Sequence, residues 1–353
     1  VIVETTVGAR PYTETRRDCA GGVQRVTLAR HFLPPLSPWP FPMLIIFESI
    51  LPIFLLVLLG VGLKRSPLIN GTFWEGLEQC GYYVLFPALL FHTLATADFS
   101  TMEIGAIGTA AVVAVLVMCG LVLALWIVLK RVGVPASAFS SVFQTATRWN
   151  AFIALAIAQK IQGDTGLTVV ALVMAVIILP INFINVGVLL RFSGAQMSYG
   201  TFALRIITNP LIISSILGVI VNQSGLPIYA PLMTTVDLVA RAALSLGLIA
   251  VGAGLRVSDA LKPRPLVLFS TALKLAVFPL LMIAVALLAG VTGPALVMLA
   301  LSASVPTAMN GYILAKKMGG DAELYAATAT VQTVFSFVTI PLVLMIAGQL
   351  AAG

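Results

Sequence analysis

Charge is what this sequence has least of. Of its 353 residues only 9% are Asp, Glu, Lys or Arg, against roughly 25% in an average soluble domain. A water-soluble globule of this length has no means of covering its core with so few ions, so a soluble enzyme is excluded. A disordered chain is excluded by 59% hydrophobic residues. Cysteine is scarce as well: Cys19, Cys80 and Cys119 form neither a disulfide framework nor a metal pattern, and Cys80 and Cys119 read as small buried residues. There are two histidines, no HExxH spacing and no evident Ser/His/Asp or paired-Asp arrangement. Neither enzymatic chemistry nor a cofactor is therefore expected.

Long apolar runs take the place of charge. Residues 79–97, 104–129, 165–190, 206–236, 275–315 and 324–353 contain no Asp, Glu, Lys or Arg, and the mean hydropathy is +1.06. A bilayer-spanning helix needs about 20 predominantly apolar residues. The chain reads as an all-α polytopic membrane protein with lipid as its solvent. Its net charge of +7 is then a topology signal rather than a sign of nucleic acid.

Residues 1–42 differ from the rest. They hold five arginines and a proline cluster, Pro34, Pro35, Pro38, Pro40 and Pro42, and lack an apolar span or signal-peptide core. They are expected to be a disordered tail or a mis-called start, with Met43 opening the functional chain.

Ten spans are predicted, at about 44–63, 77–96, 104–129, 137–159, 166–190, 203–222, 232–255, 265–289, 295–317 and 325–349. Lys and Arg favour short cytoplasmic loops. Lys64, Arg65, Lys130, Arg131, Arg191, Arg205, Arg256, Lys262, Arg264, Lys316 and Lys317 all fall on one side of this arrangement, while the opposite loops hold Lys160. That asymmetry puts both termini outside.

The two halves repeat. Pro52 and Gly60 match Pro210 and Gly218; Glu78 matches Asp237; Asn150 matches Asn310; Pro180 matches Pro341. The offset stays within 158–161 residues. The halves are 43–191 and 203–350, with five spans each. An odd number inverts the second half, an architecture of secondary transporters whose sites lie near the midplane at discontinuous helices.

Spans 4 and 9 are the candidates for discontinuity. In span 9, Pro306 removes a backbone donor, with Ser302, Ser304, Thr307, Asn310 and Gly311 around it. In span 4, Gln144, Thr145, Thr147, Arg148 and Asn150 cluster at the centre without a proline. Freed peptide groups are not left facing lipid, and a half-helix N-terminus points donors at an anion. The competing reading is a packed proline kink with Asn capping its own backbone.

Intramembrane charges mark function by default. Arg148 adjoins the presumed break. Lys274 lies about ten residues into span 8, where it either adds positive field to the site or snorkels to the headgroups. Asp237 and Arg241, four apart on span 7, form a structural pair; His92 reads as structural. Two central cations without a central carboxylate point to an anionic substrate. Gln144 and Gln332 are weak candidates for a coupling-ion site.

Four segments resemble one known family: ILPIFLLVLLGVGLKR at 50–65, YYVLFPALLFHTLA at 82–95, NPLIISSILGVIVN at 209–222 and SVPTAMNGYILAKKMGGD at 304–321. The sequence resembles the auxin efflux carrier family, in its bacterial organic-acid-permease-like branch, over about 43–350. The resemblance implies two inverted five-helix repeats with spans 4 and 9 crossing at their breaks, similar to sodium/proton-antiporter and bile-acid-symporter type folds. It implies a scaffold of spans 1, 2, 6 and 7 and a moving transport domain of spans 3–5 and 8–10. By motif, the crossover residues become Asn150, Pro306, Thr307 and Asn310. Plant relatives carry a proline at the fourth-span crossover; here Thr147-Arg148-Trp149 precede Asn150.

The expected function is elevator-type secondary transport of a small carboxylate, auxin-like or dicarboxylate, across a bacterial inner membrane. The expected substrate-binding residues are Asn150, Arg148, Thr147, Asn310, Thr307, Pro306, Ser304 and Lys274. Expected partners are the anion, membrane lipid, a coupling proton or sodium ion, and a second copy in a homodimer; nucleic acid is not among them. The alternatives are a sodium-coupled organic-anion symporter and a ligand sensor without transport.

Overall fold

A computed structural model describes residues 13–17, 23–27, 43–67, 69–99, 103–193, 208–225, 228–255 and 264–352. The chain divides into two units, Val1–Pro38 and Trp39–Gly353. In the first, β1 (Thr13–Arg17) pairs antiparallel with β2 (Val23–Thr27), with Thr13 opposite Thr27 and Arg17 opposite Val23. The sequence reading assigns no element to 1–42. A lone two-stranded ribbon is marginal in water.

The second unit is helical throughout its described residues, and its segments follow the predicted order. Span 1 is Met43–Arg65. Span 2 runs Gly71–Cys80, through a π-helical turn at Gly81–Leu85, into Phe86–Ala95. Span 3 is Ile104–Arg131. Span 4 comprises Ala136–Thr147 and, after a break, the first part of Ala151–Ser193; span 5 is the remainder of that helix. Gly163, at φ 59°, separates the two, a left-handed conformation that glycine adopts without steric cost. Spans 6 and 7 are Pro210–Ser224 and Ala230–Gly254. Span 8 runs Pro265–Ala272, a π turn at Leu273–Val277, then Phe278–Leu288. Span 9 is Gly293–Ser304 and Asn310–Lys317, and span 10 is Ala322–Ala352.

Six helical runs are long and apolar enough to cross a bilayer, and Pro210–Ser224 and Gly293–Ser304 are shorter apolar helices. The shortfall from ten has local causes. Spans 4 and 5 merge into one run, span 9 is cut by its break, and span 2 opens on a polar stretch. The predicted start of span 2 is six residues late, because Asn70 caps it by accepting from the Phe73 N–H at 3.2 Å. Span 6 starts at Pro210, where Asn209 accepts from the Leu211 N–H at 2.9 Å; residues 203–207 of its predicted extent lie outside the described residues. Both π turns precede a Phe-Pro pair, Phe86-Pro87 and Phe278-Pro279. A helical proline has no N–H to give and crowds the carbonyl four residues back. The wider turn absorbs this, with Phe86 N–H bonding Gly81 O and Phe278 N–H bonding Leu273 O. Cys119 is buried as expected, whereas Cys80 is exposed, since it sits on an outward face of span 2.

Spans 1, 2, 6 and 7 pack on one another, and spans 3, 4, 5, 8, 9 and 10 form a second group. Small residues bring backbones together in the first group. A Cβ on Gly60 of span 1 would collide with Ile249 O of span 7, and one on Gly218 of span 6 would come within 2.9 Å of Phe91 O of span 2. Gly60 and Gly218 are 158 apart; so are Phe91 and Ile249. The same contact is thus made twice, with the halves exchanging roles. A second exchanged pair lies at the breaks' far ends. Asp321 N–H donates to Ser137 O at 3.2 Å, and Gln162 Nε2 donates to Pro294 O at 3.3 Å. Pseudo-two-fold symmetry is therefore present in the packing as well as in the sequence.

Close glycine approaches are the main way helices associate in lipid, where burial gives no hydrophobic gain. Gly60→Ala should cost about 1–3 kcal/mol by overpacking and lower the melting temperature in detergent. Gly62→Ala, two residues on with open space around it, should leave stability unchanged or slightly raised. Equal melting of the two variants would refute the packing assignment.

Candidate functional site: the crossing of spans 4 and 9

Both predicted breaks are present. Span 4 stops at Thr147 and resumes at Ala151. Span 9 stops at Ser304 and resumes at Asn310. The first residues after each stop are extended in nearly the same way: Arg148 at φ −71°, ψ 159° and Val305 at φ −71°, ψ 151°. The two extended segments touch, since Asn150 N–H donates to Pro306 O at 2.7 Å. Span 4 needs no proline to break. Its Asn150 side chain caps the resumed helix, accepting from Phe152 N–H at 3.2 Å and Ile153 N–H at 3.3 Å. A cap of this kind is worth about 1 kcal/mol. Pro306 supplies in span 9 the carbonyl that takes the Asn150 backbone donor.

Gln332 of span 10 closes the arrangement. It accepts from Thr307 N–H at 2.9 Å and donates to Thr145 O at 3.1 Å and Ser270 O at 3.5 Å. One side chain thereby ties span 9, span 4 and span 8 together. Thr145 Oγ1 and Ser270 Oγ share a further hydrogen bond at 2.7 Å. Tyr325 OH donates to Ala308 O at 2.6 Å and lies 3.0 Å from Thr307 Oγ1. A Cβ on Gly311 would collide with the Tyr325 ring, which is why a glycine opens the second half of span 9. Asn185 of span 5 donates to Ile181 O at 2.7 Å and to Thr147 Oγ1 at 3.2 Å.

Most of the expected residues meet here. Asn150, Thr147, Pro306, Thr307 and Ser304 are buried at the crossing. Thr147 and Ser304 spend their hydroxyls on backbone carbonyls, Phe143 O at 2.8 Å and Leu301 O at 3.0 Å. Arg148 is half-buried, and its Nε has no hydrogen-bond partner among the described residues. Asn310 begins the resumed helix; its side chain lies outside the described residues. Gln332 is fully engaged as a clamp, whereas both polar atoms of the fully buried Gln144 are unpartnered among the described residues.

Lys274 does not snorkel. It is fully buried in the π turn of span 8, one turn past Ser270, and its Nζ has no hydrogen-bond partner among the described residues. Its Nζ lies 4.4 Å from the Phe278 ring centroid. In the N-terminal half of span 7, Arg241 Nε donates to Asp237 Oδ2 at 2.8 Å, and His92 Nε2 lies 3.8 Å from Asp237 Oδ1. That cluster links spans 2 and 7 in the first group, away from the crossing.

The crossing also abuts the other helical group. Phe152 stacks on Phe86 of span 2, centroids 3.8 Å apart. Met309 lies against Gly254 of span 7. Phe152 lies in the resumed half of span 4, and Met309 immediately precedes the resumed half of span 9. Sequence reasoning missed Asn185, Ser270 and Tyr325. An Asn inside the apolar span 5 was a readable signal; a Ser and a Tyr near helix ends were not.

Crossed, interrupted helices within a polytopic helical body define a membrane transporter. A family model described as membrane transport protein matches residues 45–344. The chain belongs to this family, which includes the auxin efflux carriers, and it is an integral membrane protein. No curated protein matches the chain significantly.

Gln332→Leu removes the partners of Thr307 N–H and Thr145 O inside the protein. Each buried backbone group left unmade costs about 1–3 kcal/mol. The variant should melt well below the parent, whereas Gln159→Leu, at an exposed side-chain hydrogen bond to Asp164, should not. Equal melting would remove the clamp role.

Proposed function

We propose that the chain is a secondary transporter that moves a small organic anion across a bacterial inner membrane by an elevator-type cycle, with both termini outside. The observation that carries this reading is the crossing itself. Two interrupted helices exchange a backbone hydrogen bond between Asn150 and Pro306, and Arg148 stands in the interruption with an unpartnered Nε. A guanidinium presents donors in a fork that fits a carboxylate. The resumed half of span 4 directs its N-terminal dipole toward the same place.

The substrate residues are Arg148, Asn150, Thr307 and Asn310, with Thr147, Pro306 and Ser304 shaping the crossing. Arg148 and the amides hold the carboxylate. The division of helices supports the cycle. Spans 3–5 and 8–10 form the moving body and carry the crossing; spans 1, 2, 6 and 7 form the scaffold. The contact between them near the crossing is largely apolar, through Phe86, Phe152, Met309 and Gly254, which suits sliding better than a polar seam. A body that carries its ligand past such a scaffold exposes the site to each side in turn.

Arg148→Ala should lower uptake of a transported organic acid into proteoliposomes by about 10- to 100-fold, the worth of a charge-assisted hydrogen bond. Asn150→Ala should lower it similarly, with both variants inserted at parental levels. Undiminished flux in both would reject this site.

A further inference from the structure

Lys274 is a buried amine for which the packed segments supply no counter-charge. Its turn, Leu273–Val277, packs against Pro265–Ala272, Phe278–Leu288, Gly293–Ser304, Ala136–Thr147 and Ala322–Ala352. The first four of these contain no Asp, Glu, His, Lys, Arg, Tyr or Cys. Arg148 follows the fourth. The fifth contributes Glu323 and Tyr325, both in the first turn of span 10. Gln332, which reaches Ser270 O, lies nine residues past Glu323, about 13 Å along the helix. Lys274 lies a further turn beyond Ser270 in span 8, which runs in the same direction as span 10. Glu323 is also exposed. No carboxylate from the packed segments therefore reaches the amine, and the Phe278 ring centroid lies 4.4 Å from it.

Burying an ammonium without an opposite charge is strongly unfavourable. Ser270, four residues before Lys274, is bonded to Thr145 of span 4 and to the clamp residue Gln332. The amine is thus one helical turn from the groups that fix the crossing, and Gln144 on the neighbouring span is equally buried and unpartnered. A carboxylate arriving at the crossing brings the missing negative charge.

We propose that Lys274 carries a proton that binds together with the organic anion, so that the transporter moves a carboxylate and a proton in one direction. This rests on the anion-transport reading above. In the empty protein Nζ holds its lone pair. As the carboxylate enters, Nζ takes a proton from the aqueous phase to which the site is open. The new N–H bond gives an ammonium beside the anion, and the pair crosses with no net charge beyond that of the empty carrier. On the far side the anion leaves and the ammonium returns its proton to water. Linkage is reciprocal: if anion binding draws in a proton, a lower pH must tighten anion binding. Binding should weaken by about tenfold per pH unit over the range in which one proton is taken up.

The test uses the full chain, purified in detergent and lightly buffered with a pH indicator. Acetate, malonate and indole-3-acetate are titrated separately, with thermal shift reporting binding. The expected result is uptake of about one proton per protein for any acid that binds. That uptake should be lost in Lys274→Met and in Lys274→Arg, with the arginine variant still binding the acid because its charge is permanent. Lys274→Met should fold, since it replaces an unpartnered amine by an apolar chain of similar length. Binding without proton uptake, or unchanged uptake in Lys274→Arg, would overturn the role of Lys274 and leave anion transport standing. Failure of all three acids to bind the parent would instead overturn the anion reading on which the role depends.

Discussion

Peptide N–H and C=O groups have no water to turn to in the middle of a bilayer, and this governs how the chain can be interrupted there. Two helices stop and restart at mid-span, and each uses the other's interruption. Asn150 N–H bonds Pro306 O, Thr307 N–H bonds Gln332, and Ala308 O accepts from Tyr325. The breaks are tolerated because they are paired. A single interrupted helix would need its own set of polar partners. Two, brought together by pseudo-symmetry, supply part of that set to one another.

The remaining architecture serves to bring the breaks together. Glycine contacts at Gly60 and Gly218 hold spans 1, 2, 6 and 7 as one body. Gln332 holds spans 4, 8, 9 and 10 as another. Polar hydrogen bonds concentrate in the second body and close-packed backbone in the first. The two groups are thus built from different kinds of contact.

Much of this was legible in the sequence because lipid simplifies the code. Apart from the start of span 2, apolar runs gave the described span positions to within a few residues, and the nearly constant offset of Gly60, Pro52 and Asn150 from their partners revealed the repeat. The break in span 9 was announced by Pro306. The break in span 4 has no proline and was inferred from symmetry and from the polar cluster at 144–150, since what opens it is the Asn150 cap together with a carbonyl 156 residues away in the chain. The clamp was hidden for a similar reason. Gln332 is one polar residue in an apolar helix, and its worth lies in three partners on three other spans. The start of span 2 was missed because the Asn70 cap precedes a polar stretch, which carries no hydropathy signal.

The account rests on the two interrupted segments lying side by side. Experimental density for the protein in lipid nanodiscs tests this most directly. The expected result is a helix interrupted at 148–150 and another at 305–309, extended at Arg148 and Val305, with the Asn150 N–H against the Pro306 carbonyl. Unbroken helical hydrogen bonding through either segment, or separation of the two by intervening side chains, would contradict it.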